Sequence, residues 1–370
     1  IAKNNALVQS KGDFEKEMRL SRLDKMDIKW WVDNLPISKK FVGYLPIDEV
    51  IHTDASTDGW GMWHEKSATK TGGRWSESEK QSHINVKEIW AILLGIQCMF
   101  DHKQGLHMHI FCDSQVAIAC VNKQGSTHSL PCNSATRKLL LYCEKHEFVL
   151  TLTYLPSVEN VQADEASRRF KNIDTEWMLN KDIFAECCKI LQFQPEIDLF
   201  ADRLNHQVPR YCSWDPDPQA EFIDALSIDW TGFNNVYAFM PFSLTGKVLK
   251  KLTECPTKLH MMIVAPYWTT QTWYPKLVNN LIKSPIIIKT HANTLVLPHD
   301  PKRVHPLAKK LKLMVGIISS DPWNAKVFQS QWQRPCVIPG LTTHTSNMPH
   351  ILRDGKHIVV KGKYIPVIQM

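Results

Sequence analysis

Between Val50 and Phe170 the hydrophobic pattern changes period again and again, and acidic residues stand at the changes. VIHTDASTDGWGMW alternates as a strand does, turns at Thr57-Asp58-Gly59 and runs back as a second strand; GGRWS continues the meander. HINVKEIWAILLGIQCMF then sets Val86, Ile89, Trp90, Leu93 and Leu94 on one helical stripe. HMHIFCDS reads as a buried strand, QVAIACVNKQG as a short helix closed by Gly125, and Ser134–Glu147 as a further helix. FVLTLTYLP is a strand and VENVQADEASRRF a last helix. The order β-β-β-α-β-α-α-β-α predicts an α/β fold, a mixed sheet flanked by helices.

Four carboxylates sit at telling places in that pattern. Asp54 lies near the end of the first strand, on the face of Val50 and His52. Asp113 ends a buried strand, Glu88 lies on the apolar helix two residues before Trp90, and Asp164 opens the last helix. A carboxylate closing a hydrophobic strand costs desolvation energy unless it is paired or bound to a metal. One alone reads as a cap for the next helix. Four on adjoining elements point to a hard cation such as Mg²⁺, with Mn²⁺ an alternative. Two ions about 3.5–4 Å apart would activate water on one side of a phosphodiester and steady the leaving oxygen on the other. The ions would also relieve the repulsion among the carboxylates.

IHTDASTDGWG, the Glu of HINVKEIWAIL, IFCDSQVAIACVN and VENVQADEASRR resemble, in order and spacing, the four acidic blocks of the retroelement ribonuclease H domain. The resemblance covers about 120 residues of this 370-residue chain and implies cleavage of the RNA strand of RNA–DNA hybrids. It assigns Asp54, Glu88, Asp113 and Asp164 as catalytic ligands of two Mg²⁺ ions, and Ser114 and Asn122 as substrate contacts. Many such enzymes carry a histidine in the loop before the last aspartate. Here that loop, YLPSVENVQAD, has none, and Tyr154 stands about where related elements often have one, which implies slow turnover.

The first 47 residues read as a helical tail. MRLSRLDKMDIKWWVDNLP spaces Leu20, Leu23, Met26, Ile28, Trp31 and Leu35 at roughly helical intervals and ends at Pro36. This tryptophan-rich stretch resembles the segment joining reverse transcriptase to ribonuclease H in tyrosine-recombinase retrotransposons of the DIRS type. The implied partner is an upstream reverse transcriptase; no YxDD-like pair of aspartates lies in this chain. The sequence lacks an initiating methionine and is read as a piece of something longer.

After the ribonuclease H-like span of 48–170, residues 171–190 read as a linker helix, 191–320 as a second α/β domain and 321–370 as a C-terminal tail. EIDLF, NVYAFMPF, HMMIVAP and SPIIIK are strand-like, LTGKVLKKLTE is helical, and KHIVVKGKYIPVIQM is a hairpin turning at Lys361-Gly362. IDLFADRLNHQVPRYCSWDPDPQA, DALSIDW, VYAFMPFS and MMIVAPYWTTQTWYP resemble the methyltransferase-like domain of DIRS elements and, more distantly, phage-type DNA adenine methyltransferases. In that family an Asn/Asp-Pro-Pro-Tyr/Phe motif accepts hydrogen bonds from the target amine and stacks on the flipped base. Here it reads Phe239-Met240-Pro241-Phe242, and Phe239 cannot accept that bond. The Gly-rich turn that receives S-adenosylmethionine is replaced by Ala201-Asp202-Arg203, so this cofactor is not expected and the domain is read as degenerate. Asp198 and Asp229 have a plain alternative as satisfied polar ends of strand and helix.

The net charge of +7 is uneven. Twelve Lys or Arg against two acids, Glu254 and Asp300, give the Lys247–Lys312 stretch +10, leaving −3 for the rest. Interleaved with Tyr267, Trp268, Trp273 and Tyr274, this suits a nucleic-acid partner, with Lys250, Lys251 and Arg303 as contacts; a solvated face over an aromatic core explains it as well. Ten cysteines without a CxxC suggest neither a disulfide framework nor zinc, and hence a reducing intracellular setting, cytoplasm or nucleus. No apolar run approaches the roughly 20 residues that span a bilayer. The chain is thus expected to be a hybrid-cutting endonuclease. A catalytically inactive nucleic-acid-binding module and a DNA adenine methyltransferase are the alternatives.

Overall fold

The computed structural model describes residues 17, 19–37, 45–126, 128–170, 176–332 and 356–370. It divides into two units, Ile1–Phe170 and Lys171–Met370. Much of the tail before residue 48 and residues 333–355 of the expected C-terminal tail lie outside the described residues.

In the first unit, α1 (Arg22–Asn34) starts at a capping box, in which Ser21 accepts from the Asp24 N–H and Asp24 accepts from the Ser21 N–H. Strands β1 (Glu49–Ala55), β2 (Gly59–His64) and β3 (Thr69–Arg74) form an antiparallel meander. The turn between β1 and β2 is closed by Ser56, whose Oγ accepts from the N–H groups of Asp58 and Gly59. A one-turn helix, α2 (Glu77–Lys80), follows; its Ser76/Glu79 capping box is legible in the sequence, although no helix was expected there. Next come α3 (Ile84–Phe100), β4 (His107–Cys112), α4 (Gln115–Asn122), α5 (Leu130–Lys145), β5 (Val149–Tyr154) and α6 (Val161–Arg168). Helix α5 begins earlier than the expected Ser134, because Ser129 caps it and Pro131 fits its first turn.

The five strands lie in the order β3-β2-β1-β4-β5, with β4 parallel to both β1 and β5. This is the mixed sheet flanked by helices that the sequence predicts. Ile51, Met62, Met108, Ile110 and Leu152 of the sheet share one core with Ile89, Ile92 and Ile96 of α3 and Leu139 of α5. Helix α6 packs on β1, β2 and β3 by close backbone approach. A Cβ added at Gly61 would meet the Ala163 carbonyl oxygen at 2.3 Å, so only glycine lets the helix settle there.

In the second unit, β6 (Met178–Leu179) pairs with β13 (Leu295–Val296), and α7 (Lys181–Leu191) starts at the Asn180 cap. The expected linker helix over 171–190 is therefore corrected. Residues 171–175 lie outside the described residues, Met178 and Leu179 are buried in a strand rather than a helix, and only from Lys181 is the segment helical. The main sheet runs β17-β12-β14-β11-β10-β7. Its members are β7 (Ile197–Asp198), β10 (Asn235–Ala238), β11 (His260–Pro266), β12 (Ile286–Lys289), β14 (Lys312–Ser319) and β17 (Ile368–Gln369). Strands β7, β10 and β11 are parallel, and β14 is antiparallel to β11 and β12. Sequence reading missed β14, which is buried from Leu313 to Ser319 as an unbroken apolar run, like β11. Short pieces β8 (Cys212–Ser213) and β9 (Phe222–Ile223) pair with each other, and α8 (Thr245–Glu254), α9 (Tyr274–Asn279) and α10 (Pro322–Ser330) complete the helices. The hairpin β15 (His357–Val360)–β16 (Lys363–Pro366) turns at Lys361-Gly362 as expected, both residues at positive φ.

All described cysteines are free thiols. No helix among the described residues is long and apolar enough to cross a membrane.

Candidate metal centre

Asp54, Glu88 and Asp113 offer carboxylate oxygens that all lie within 4.8 Å of one another. Three elements bring them together: the end of β1, the first turns of α3, and the residue after β4. Pairing of β1 with β4 sets the strand-end aspartates side by side, and α3 crosses the same strands through its Ile89 and Ile92 stripe.

Each carboxylate is held differently. Asp54, 3% exposed, accepts a 2.6 Å hydrogen bond from Ser167 Oγ of α6. Burial raises its pKa, the Ser167 bond opposes that, and the charges of Asp113 and Asp164 push it higher again. Glu88, 5% exposed, accepts from the Ala55 N–H, but its Oε2 has no hydrogen-bond partner. Burial first, then Asp54 and Asp113, push its pKa up to about 9. Asp113 is half-buried and accepts a 2.5 Å bond from Ser157 Oγ.

The structure sets Asp164 apart from this group of three. On the first turn of α6, it is paired with Arg168, whose Nε and Nη2 lie 2.8 and 2.7 Å from its Oδ1. Its charge is nonetheless felt at Asp54, and the Arg168 guanidinium is felt there with the opposite sign. Helix α6 is bound to β1 by Asn160 Nδ2 donating to the Thr53 carbonyl, Ser56 Oγ donating to the Ser167 carbonyl, and the Ser167–Asp54 bond.

A divalent cation fits this donor set. Three oxygens converge, two of the carboxylates are buried, and a buried carboxylate oxygen lacks any partner, which is costly without a positive charge. Lys87 does not supply that charge: buried beside Glu88 in the sequence, its ammonium donates to the Thr57 carbonyl, and burial lowers its pKa.

The other predicted contacts are scattered. Ser114 adjoins Asp113 and caps α4, its Oγ accepting from the Ala117 N–H. Asn122 is tied off: its Nδ2 donates to the Leu152 carbonyl and its Oδ1 accepts from the Leu152 N–H, a clamp between α4 and β5. Lys250, Lys251 and Arg303 all belong to the second unit. Lys250 is exposed beside Glu254, at 3.8 Å. Lys251 donates to the Leu226 carbonyl at 2.8 Å and lies over the Trp230 ring, so its charge serves packing. Arg303 is exposed and its backbone N–H closes a turn onto Asp300.

Asp198 ends β7 and is fully buried; its carboxylate accepts from the N–H groups of Phe200 and Gln207. Asp229 accepts from the Thr231 N–H and hydroxyl. Both are satisfied ends of their own loops. Phe239 and Phe242 pack at 6.2 Å between ring centroids, and Phe242 meets Trp268 edge-on at 5.5 Å.

Sequence reading missed the supporting hydroxyls Ser157 and Ser167. Ser167 had a signal, three residues after Asp164 on one helix face; Ser157, in an irregular loop, had none.

No family model and no curated protein matches the chain. Solved structures similar to it include RNase H1 from the halophilic archaeon Halobacterium salinarum NRC-1, at 15% identity, TM-score 0.27, covering 32% of this chain and 96% of that one. LC11-RNase H1 in complex with an RNA/DNA hybrid is similar at 18% identity, TM-score 0.28, covering 32% and 93%. Prototype foamy virus protease-reverse transcriptase is similar at 14% identity, TM-score 0.22, covering 48% of this chain and 25% of that one. Similarity at this level says nothing about activity.

Proposed function

We propose that the chain is a metal-dependent endonuclease that cuts the RNA strand of RNA–DNA hybrids, with Asp54, Glu88 and Asp113 holding the cations and Asp164 completing the set. The observation that carries this reading is the convergence of three carboxylates within 4.8 Å, two of them buried and one with an unpartnered oxygen. Bound Mg²⁺ or Mn²⁺ would supply Lewis-acid activation of water and neutralise charge developing on the phosphodiester. The chain's own groups do the positioning. Ser167 fixes Asp54, the Ala55 N–H fixes Glu88, Ser157 fixes Asp113, and Arg168 holds Asp164 at the rim until substrate or cation competes for it.

The acidic blocks and the tryptophan-rich α1 favour a retroelement source of the DIRS type, with an upstream reverse transcriptase as partner. The second unit is read as a degenerate methyltransferase-like platform for nucleic acid. Asp198 is spent on its own loop, and Phe239 packs in an aromatic group where an amine acceptor would be needed.

Incubating the full chain with a hybrid labelled in its RNA strand, with and without Mg²⁺, tests the reading. Cleavage should require the cation and disappear in Asp113→Asn. Absence of cleavage in both Mg²⁺ and Mn²⁺ would leave the inactive binding module as the better account. Crosslinking of S-adenosylmethionine to the second unit would revive the methyltransferase.

A further inference from the structure

From residue 255 to residue 320 the chain carries a single acid, Asp300. Lys247 and Lys276 apart, the structure sorts the cations of this stretch and its flank into two kinds. Lys250 and Lys258 face Glu254 and Asp321, Lys251 is bound to the Leu226 carbonyl, and Lys283 donates to the carbonyls of Leu191 and Gln192. Lys289, Lys302, Arg303, Lys309, Lys310 and Lys312 are all exposed, and none has an ion-pair partner among the described residues.

Four of these, Lys289, Lys309, Lys310 and Lys312, lie where β12 ends and β14 begins. Lys289 and Lys312 stand directly opposite one another in the antiparallel register. Like charges in that position repel, and sheets ordinarily avoid them. The loop before β14 is nonetheless built firmly. Thr290 Oγ1 donates to the carbonyls of Ala308 and Leu311, at 2.7 and 2.6 Å, and both of those residues are buried. Buried Ala308 and Leu311 bracket Lys309 and Lys310, so the anchored backbone presents their ammonium groups to solvent.

We propose that Lys289, Lys309, Lys310 and Lys312 form a docking surface for the phosphate backbone of nucleic acid. Closely spaced, unpaired cations on preformed strand ends suit a polyanion of regular charge spacing, whose binding releases condensed counterions. A membrane surface suits them less, because the only large exposed apolar side chains on the loop are Val304 and Leu307. The surface excludes Lys250 and Lys251, whose charges are already engaged. It rests on the reading that the chain works on nucleic acid, but not on the metal centre.

The test is equilibrium binding of the full chain to a labelled RNA–DNA hybrid in EDTA, where no metal-dependent cleavage runs, over about 50–200 mM salt. Replacing Lys289, Lys309 and Lys312 by Gln should weaken binding and make the slope of log K against log salt shallower by about 3, one for each phosphate no longer neutralised. Replacing the same three by Arg should keep the slope, and Lys250→Gln with Lys258→Gln should not change it. Lys289→Glu should raise the melting temperature of the free protein, by ending the like-charge opposition, while lowering affinity. An unchanged slope in the Gln variant overturns the proposal. So does a Gln variant that keeps its hybrid affinity but loses binding to phosphatidylserine vesicles. A lowered slope in a chain that never cleaves hybrid supports the docking surface and counts only against the nuclease reading.

Discussion

At the scale of single residues, the centre is a set of like charges that the folded chain holds together at a cost. Glu88 shows this best: its pKa is pushed up to about 9 by burial and by its two acidic neighbours. Removing one neighbour should therefore stabilise the metal-free protein. Asp113→Asn keeps an oxygen for the Ser157 hydroxyl and, at about pH 9 and above where Glu88 ionises, should raise metal-free stability by roughly 1 kcal/mol, the order of one pKa unit of relieved repulsion. Melting curves in EDTA would show the gain, and in Mg²⁺ it should vanish, because the parent then recovers more from the ion than the variant does. A variant no more stable than the parent in EDTA would mean that repulsion is not what limits the site. The positions of Asp54, Glu88 and Asp113, which the structure brings together, were legible because strand ends and a helix stripe are one-dimensional patterns. The partners Ser157 and Ser167 were not, since a hydroxyl's bond to Asp113 or Asp54 depends on how the loop and α6 return to the sheet.

At the scale of elements, α6 is the piece that finishes the centre. It brings Asp164, Arg168 and Ser167 to β1 and rests on β2 through the bare backbone at Gly61. Gly61→Ala would place a methyl group 2.3 Å from the Ala163 carbonyl oxygen and 2.4 Å from the Ser167 nitrogen. Neither is a flexible side-chain end, so the helix must lift. The expected cost is about 1–3 kcal/mol, as for other overpacked sites, read as a lower urea midpoint, with hybrid cleavage falling further than stability alone explains. Unchanged stability and cleavage would show that α6 is not seated as described. The strands of the first unit were legible because each alternates or ends at a turn residue. Buried β14 in the second unit was not read, although its apolar run is like that of β11.

At the scale of the whole molecule, the two units answer to different conditions. On the proposed reading the first answers to cation supply, while the second holds a buried acid. Burial pushes the pKa of Asp198 up to about 7 from 3.8, against the opposing bonds from the Gln207 and Phe200 N–H groups. An acid raised in the folded state contributes stability that is full below its unfolded value and is lost as pH rises through the folded one. The second unit should thus weaken as pH climbs from about 4 to about 7 and level off above. Asp198→Asn should flatten that slope in denaturant titrations followed by a probe in residues 176–332. A slope that survives in the variant would assign the effect to another group. Charge placement was legible only as a total: the +10 stretch was visible, but which lysines are already engaged, as Lys251 is, depends on neighbours such as Leu226 far away in sequence.

The bond from Ser167 to Asp54 joins residues 113 positions apart, and β1 must find β4 before the aspartates meet. Long-range closures of this kind come late in folding. While the chain is being synthesised, any product that ends before Ser167 lacks the bond that holds Asp54. On the proposed reading, the centre would then be silent until about residue 170 has emerged, a delay between making the protein and its cutting of hybrids.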